Sequence, residues 1–292
     1  MAAVSRAEAR RAGRARLSAG QFYWLLILPA VVLMAGLYFF PLVKVLLISV
    51  SEPEPGFGNY AKLISSESIH QTLIVTLRIC VITTFFTLLL GYVVSYAMVQ
   101  ASMAWLRWLM FFVLLPLWIS VLVRAFSWIT LLRSNGLVNE ALLAWGVIDS
   151  PLSLMRNEFG VSVGMIHYML PFAVLPLYAN MRTIDLRLIA AARALGAPPW
   201  TAFRRIFLPL SRPGVVASGM LVFIFSMGFY VTPALLGGGR VFMVAEYIGI
   251  QITQTLRWGI GTMLAAVLLI SILLLLLLLG RVVNLRKLFG AE

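Results

Sequence analysis

Long apolar runs alternate with short polar segments along this chain. Six of the runs reach the roughly 20 mostly apolar residues that a membrane-spanning helix needs. Most charged side chains lie in the segments between the runs. This pattern predicts an all-α, polytopic membrane protein with six transmembrane helices, near residues 22–48, 71–99, 108–131, 161–181, 214–235 and 259–279.

The composition excludes most classes of soluble protein. Of the 292 residues, 62% are hydrophobic and 11% are charged, whereas a soluble domain is about 45–50% apolar and about 25% charged. The single cysteine, Cys80, excludes an intrachain disulfide, and two widely separated histidines offer no metal cluster. We therefore expect no metal site and no catalytic constellation, so the chain is not expected to be an enzyme.

The basic residues predict the orientation in the membrane. The net charge is +13, but the Lys and Arg residues flank the apolar runs, so they do not indicate a nucleic-acid partner. With the N-terminus inside, the outer segments hold five Lys and Arg residues and the inner segments hold fifteen. The positive-inside rule then places both termini in the cytoplasm. The inner segments are 1–20, 100–107, 182–212 and 280–292.

The inner segment 182–212 has the signals of two short helices joined by a turn. Asp185 is placed to cap a helix over residues 186–195. Gly196 follows where a helix C-terminus favours a left-handed residue. Pro199 suits the first turn of a second helix, where its missing N–H has no partner in any case.

The second helix of this segment is expected to end at residues 208–209, with the fifth span beginning at 213–214. The first helix has a nearly bare face of small residues at 190–192, which permits close docking on a partner protein. A helix lying on lipid headgroups is the alternative. The bulky apolar residues of the second helix share one face: Trp200, Phe203, Ile206 and Phe207.

At this segment the sequence resembles the E-A-A loop of binding-protein-dependent ABC importer permeases. Residues 190–196 read A-A-A-R-A-L-G, and Leu208 and Pro209 fill later positions of the motif. Ala190 stands at the family's glutamate position, so a charge contact with the ATPase would be missing, whereas helix docking need not be lost. The resemblance implies coupling to an ATPase through Ala190, Ala191, Ala192, Arg193, Leu195, Gly196, Trp200, Phe203, Arg204 and Pro209.

Other segments are similar to the spermidine/putrescine-type permeases, notably P-L-W-I-S at 116–120, L-P-F at 170–172 and V-T-P at 231–233. This resemblance implies a permease subunit of the bacterial inner (cytoplasmic) membrane, embedded in lipid. It would work with a second homologous permease, two ATPase subunits and an extracytoplasmic solute-binding protein. ATP and Mg would bind the ATPases alone, because this chain has no G-x-x-x-x-G-K-[ST] phosphate loop. No cofactor is expected on the chain itself.

These inferences together predict the domain organisation. A basic N-terminal segment occupies 1–20, before a first span that is not cleaved as a signal peptide. A single six-span permease domain occupies 21–282 and carries the cytoplasmic coupling loop at 182–212. A short cytoplasmic tail follows at 283–292.

The residues leave the small-molecule solute open. Lys44, Arg78 and Arg124 lie within predicted spans, where an ionisable residue costs about 2.5–3.5 kcal/mol, and no span carries a carboxylate in its middle. The resemblance implies a polyamine such as putrescine or spermidine, whose charge could rest on aromatic rings. The basic residues favour a carboxylate-bearing solute instead, such as an amino acid, 4-aminobutyrate or an opine.

An ion-coupled secondary carrier is an alternative of another class, but it would need carboxylates or broken-helix ion sites within its spans. Each aromatic candidate could also be a residue of the interfacial belt or of helix packing. The candidate residues for the translocation pathway are Trp118, Arg124, Trp128, Tyr168, Tyr230, Glu246 and Arg78.

Overall fold

The computed structural model describes residues 19–282. The predicted tail at 283–292, and all but two residues of the predicted segment 1–20, lie outside the described residues. Five described helices are long and apolar enough to cross a membrane, and a sharply bent helix pair makes a sixth if the pair is counted as one broken span. The predicted all-α, multi-span fold is therefore confirmed, whereas the cytoplasmic placement of the termini stays a prediction.

The described chain forms two compact units, which divide after Ile48. The first unit is the first span and comprises α1 (Ala19–Met34), a π-helical turn (Ala35–Phe39) and most of α2 (Phe40–Ser51). In the turn, the Phe40 N–H bonds to the Ala35 carbonyl, five residues back. Such a widened turn keeps the helix continuous ahead of Pro41, which has no N–H to donate.

The second unit begins at Ser49 and is built from helices joined by short connections. The second, fourth and sixth predicted spans correspond to α4, α8 and α14, each a few residues longer than expected. Its helices are α3 (Gly58–Ser65), α4 (Glu67–Gln100), α5 (Met103–Trp118), α6 (Val121–Leu132), α7 (Leu137–Ala144), α8 (Glu158–Arg182), α9 (Arg187–Ala194), α10 (Pro199–Ala202), a second π-turn (Phe203–Phe207), α11 (Leu208–Met227), α12 (Val231–Leu236), α13 (Val244–Thr253) and α14 (Trp258–Val282).

The centre of this unit is the packing of α4, α8 and α11 against one another. Small residues permit the close approach, as is usual between membrane helices. A Cβ atom at Gly91 on α4 would lie 3.1 Å from the Cβ of Ala173 on α8, and one at Gly214 on α11 would lie 2.7 Å from the side chain of Asn180. Larger residues at either glycine would push these helices apart.

The third predicted span is not one straight helix. It is α5 and the α6–α7 segment, which meet at an angle of 99°. Ile119 and Ser120 have extended backbone between them, and the Ser120 carbonyl accepts the Arg124 N–H as the first bond of α6. Pro116 weakens the last turn of α5, because it cannot donate to the carbonyl four residues earlier. The bend turns α6 toward α8 and α12.

The fifth predicted span is wrong at both ends. The helix is continuous from Pro199 to Met227, so it does not stop at Pro209. The Leu208 N–H bonds to the Phe203 carbonyl in the second π-turn, which accommodates the proline that follows. At the other end, a break at residues 228–230 separates α11 from α12, and Pro233 lies in the first turn of α12, where its missing N–H is tolerated.

Candidate coupling loop and solute pathway

Helix α9 lies within the segment 182–212, and both of its ends are capped. The Asp185 carboxylate accepts the Arg187 N–H at 2.9 Å, so this residue caps the helix as predicted, although α9 begins at Arg187 rather than 186. Gly196 has φ of +88°. The Ala197 N–H bonds to the Ala192 carbonyl and the Gly196 N–H bonds to the Arg193 carbonyl, each at 3.0 Å. This pair is the Schellman motif, which a left-handed residue makes possible.

None of the residues of α9 is buried. Ala190, Ala191 and Arg193 are exposed, and Leu195 at the end of the helix is 90% exposed. Beside α9 lies an open cleft of about 290 Å³, lined in part by Ala190, Arg193 and Phe203. Ile189 is partly buried and packs against the core cluster that contains Phe207, so this contact and the two caps together hold the eight-residue helix in place.

The neighbouring aromatic residues attach this segment to the bundle. Phe203 stacks on Trp200 and Phe207, with ring centroids 5.6 and 5.9 Å apart. The Tyr96 ring of α4 meets the rings of Phe203 and Phe207 edge-on at 5.4 and 5.1 Å. The predicted aromatic face is therefore present, and it packs on α4. The remaining coupling candidates, Arg204 and Pro209, are exposed and partly buried respectively.

Two of the pathway candidates meet between α6 and α8. The Arg124 guanidinium lies over the Tyr168 ring, with 4.4 Å from Cζ to the ring centroid. Arg124 is only 8% exposed, and its Nε and Nη1 atoms have no hydrogen-bond partner. On the next turns, the Trp128 indole N–H donates to His167 Nδ1 at 3.1 Å.

Phe229 extends this group toward the break between α11 and α12. Its ring centroid lies 4.5 Å from that of Tyr168, and Phe229 packs with Trp128 against one buried apolar cluster. Sequence reasoning missed Phe229. Its adjacency to Tyr230, in a stretch where a glycine precedes two aromatics, is the signal that could have identified it.

Tyr230 follows Phe229 at the end of the break between α11 and α12, and its ring approaches α13, the helix that carries Glu246. Tyr230 is half exposed, and its Cε2 atom lies 3.0 Å from the position of a Cβ at Gly249, one turn along α13 from Glu246. Glu246 is 6% exposed, and its Oε2 atom has no hydrogen-bond partner. Burial raises the pKa of this carboxyl to about 7, although a hydrogen bond from the Met243 backbone lowers it in part.

The other two candidates are placed elsewhere. Trp118 is 84% exposed at the end of α5, on a different side of the bend from Arg124. Arg78 pairs with Glu158 at 3.0 Å across α4 and α8, so its guanidinium is already occupied. The pairing joins residues 80 positions apart, and no local sequence signal could have shown it.

The described residues contain no group of three or more His, Cys, Asp or Glu side chains that could hold a metal ion. Three buried or partly buried ionisable groups among these residues belong to three different helices: Arg124, His167 and Glu246.

Comparisons with known proteins agree with this architecture. Residues 107–288 match the family described as the binding-protein-dependent transport system inner membrane component. The chain is 33% identical over 223 residues to the spermidine/putrescine transport system permease protein PotB of Salmonella typhimurium (strain SL1344), covering 76% of this chain and 77% of that protein. It is 34% identical over 181 residues to PotB of Haemophilus influenzae, covering 62% of this chain and 63% of that protein.

Solved structures show the same fold. A chain of a bacterial ABC transporter involved in the import of the acidic polysaccharide alginate superposes with a TM-score of 0.70 at 19% identity, covering 90% of this chain and 95% of that chain. A chain of the same type of transporter, in complex with its alginate pentasaccharide-bound periplasmic protein, gives a TM-score of 0.71. The chain belongs to the binding-protein-dependent transport system inner membrane component family and is a multi-pass permease subunit of an ABC importer in the bacterial inner membrane.

Proposed function

We propose that this subunit forms, with a second permease, the pathway for a polyamine of the putrescine or spermidine type. The observation that carries the proposal is the 33% identity to PotB over 76% of the chain, because similarity of this extent usually includes the solute pathway. Membership of an ABC importer family argues against the alternative function of an ion-coupled secondary carrier, which the composition alone left open.

The charges of the described residues support a cationic solute. Arg78 pairs with Glu158, which partly offsets the charge of one of the two candidate cations that could hold a solute carboxylate. Glu246 offers a carboxylate oxygen without a partner, on the helix that the Tyr230 ring approaches at Gly249. A carboxylate together with aromatic rings is a favourable environment for an alkylammonium group.

A carboxylate-bearing solute remains the second candidate, and one observation favours it. The buried Arg124 has two nitrogen atoms without a hydrogen-bond partner, and a solute carboxylate could satisfy both. This candidate would be an amino acid, 4-aminobutyrate or an opine.

For energy coupling, we propose that α9 and its flanking residues dock on one of two ATPase subunits that hold ATP and Mg. An exposed helix with a small-residue face at 190–192 can approach a groove on another protein closely. The docking would be a helix-in-groove contact. Small residues on the docked face would let the helix backbone approach the partner closely. A periplasmic binding protein would deliver the solute at the opposite end of the bundle.

The solute is tested by reconstituting the complete transporter in lipid with its binding protein. We expect putrescine or spermidine to stimulate ATP hydrolysis, and basic amino acids, 4-aminobutyrate and opines to have little effect. Stimulation confined to the carboxylate-bearing solutes would contradict the polyamine proposal and support the second candidate.

We expect Glu246→Gln to weaken polyamine-stimulated ATP hydrolysis in a pH-dependent way. The native carboxyl is largely protonated and neutral below its pKa of about 7, and it is charged above that pH. An ammonium group stays charged throughout this range. The native response should therefore strengthen as the pH rises through neutrality, and the variant should lose about fivefold at about pH 8 but little at about pH 6.

The measurement is the ratio of variant to native ATPase stimulation at each pH, which cancels the pH dependence of the ATPase subunits. Glu140→Gln is the matched control, because Glu140 is an exposed carboxylate on α7 and its loss should leave the ratio constant. A ratio for Glu246→Gln that does not change with pH would exclude this carboxylate as a polyamine contact.

A further inference from the structure

Arg124 places a cation on an aromatic ring inside the pathway region. Its guanidinium lies 4.4 Å from the centre of the Tyr168 ring, the geometry of a cation–π interaction. The surrounding rings belong to Phe229, at 4.5 Å, and Phe172, which is stacked at 5.9 Å. The Tyr168 ring, which could receive an alkylammonium group, is therefore already in contact with a cation of this chain.

No carboxylate neutralises this cation within the described part of the chain. The ion pair found among residues 19–282 joins Arg78 to Glu158, and Arg124 keeps two buried nitrogen atoms without a partner. His167 accepts the Trp128 N–H with Nδ1, so that nitrogen carries no proton and the imidazole is neutral. An unpaired cation in a largely apolar place is costly, and the Tyr168 ring provides its compensation.

We infer that Arg124 is a built-in competitor for the solute's ammonium group, which makes it a specificity-determining residue of the pathway. The guanidinium lies on the Tyr168 ring, and a cationic solute would have to displace it to reach the ring. The displaced side chain still repels the solute, so the site holds a cation weakly and releases it readily. This inference rests on the proposed polyamine function for its natural ligand, but the competition itself concerns any organic cation.

The test measures binding of radiolabelled putrescine to the assembled transporter in lipid nanodiscs without the binding protein. We expect Arg124→Gln to bind putrescine about fivefold more tightly than the native subunit, as the loss of one competing cation–π contact implies. Arg124→Lys keeps a cation near the ring and should bind within about twofold of native. In an Arg124→Gln and Tyr168→Leu double variant, the gain should disappear because the ring is absent.

Two further probes distinguish an effect of charge from an effect of the space that the smaller side chain opens, and they do not depend on which solute is the natural one. 1,4-Butanediol has a similar length but no charge, so its binding should be the same in the native subunit and in Arg124→Gln. Tetramethylammonium should show the same gain as putrescine. Unchanged or weaker binding of both cations by Arg124→Gln, in complexes that assemble normally, would overturn the inference. So would an equal gain for butanediol.

These results are independent of the solute proposal. If polyamines fail to stimulate ATP hydrolysis in the complete native transporter, the proposed function fails. The comparison of Arg124→Gln with the native subunit, made with tetramethylammonium, still decides whether Arg124 competes for the ring.

Discussion

Gly196→Val is expected to reduce solute-stimulated ATP hydrolysis about tenfold or more while the subunit still inserts and assembles. Gly196 has φ of +88°, and no neighbouring heavy atom lies within 4 Å of the position that a Cβ would take. The valine therefore meets no steric obstacle from other residues, and its whole effect falls on the backbone. A β-branched residue disfavours this left-handed conformation strongly. The Schellman bonds that end α9 would be lost.

No residue of α9 is fully buried, and Ile189 holds the middle of the helix against the core, so loss of the terminal hydrogen bonds is expected to change the direction of its C-terminal end. Uptake and ATPase stimulation, compared at equal amounts of assembled complex, provide the measurement. Gly196→Asn should retain most activity, because asparagine tolerates left-handed backbone. Gly146→Val is the matched control: Gly146 has φ of +66° and open space around it, but it follows α7 outside the coupling loop. Normal coupling in Gly196→Val would show that the α9 terminus does not transmit the ATPase motion.

Phe207→Ala is expected to destabilise the subunit by about 3 kcal/mol or more, the usual range for a buried phenylalanine. Phe207 is completely buried and packs with Met169, Ala173 and Val222 where α8 and α11 meet. It is also the last residue of the π-turn that joins the coupling loop to α11. The resulting cavity would loosen that junction, so stimulation of ATP hydrolysis should fall together with the melting temperature.

Thermal unfolding of the complex in nanodiscs, followed by tryptophan fluorescence, measures this loss as a decrease of several degrees in melting temperature. Phe111→Ala removes a ring of the same size from an exposed position on α5 and should change the melting temperature little. Equal effects of the two substitutions would contradict the assignment of Phe207 to the core.

The local structure of the segment 182–212 was predictable because its signals are local. A capping aspartate, a glycine at the helix end and a proline in a first turn act through the backbone of their immediate neighbours. The structure reproduces the Asp185 cap and the left-handed Gly196. The end of the second helix at Pro209 was wrong, because a π-turn accommodates a proline that would otherwise terminate an α-helix.

The grouping of the candidate pathway residues was predictable only in part. Arg124, Trp128 and Tyr168 were identified as polar or aromatic residues at membrane depth, and the structure brings them together with His167 and Phe229. Arg78 was placed in the same set on the same grounds, yet it pairs with Glu158. Residue type alone cannot distinguish a free cation from a paired one.

The sequence by itself determined the all-α class, the multi-span membrane character, the two capped ends of α9 and the family. These depend on hydrophobic run length and on short motifs, which are properties of adjacent residues. Only the tertiary structure decided the 99° bend after α5, the continuation of α11 through Pro209, the burial of Glu246 and the placement of Arg124 on Tyr168. Each of these depends on which distant helices pack together, because packing determines which polar atoms find partners and which remain for a solute.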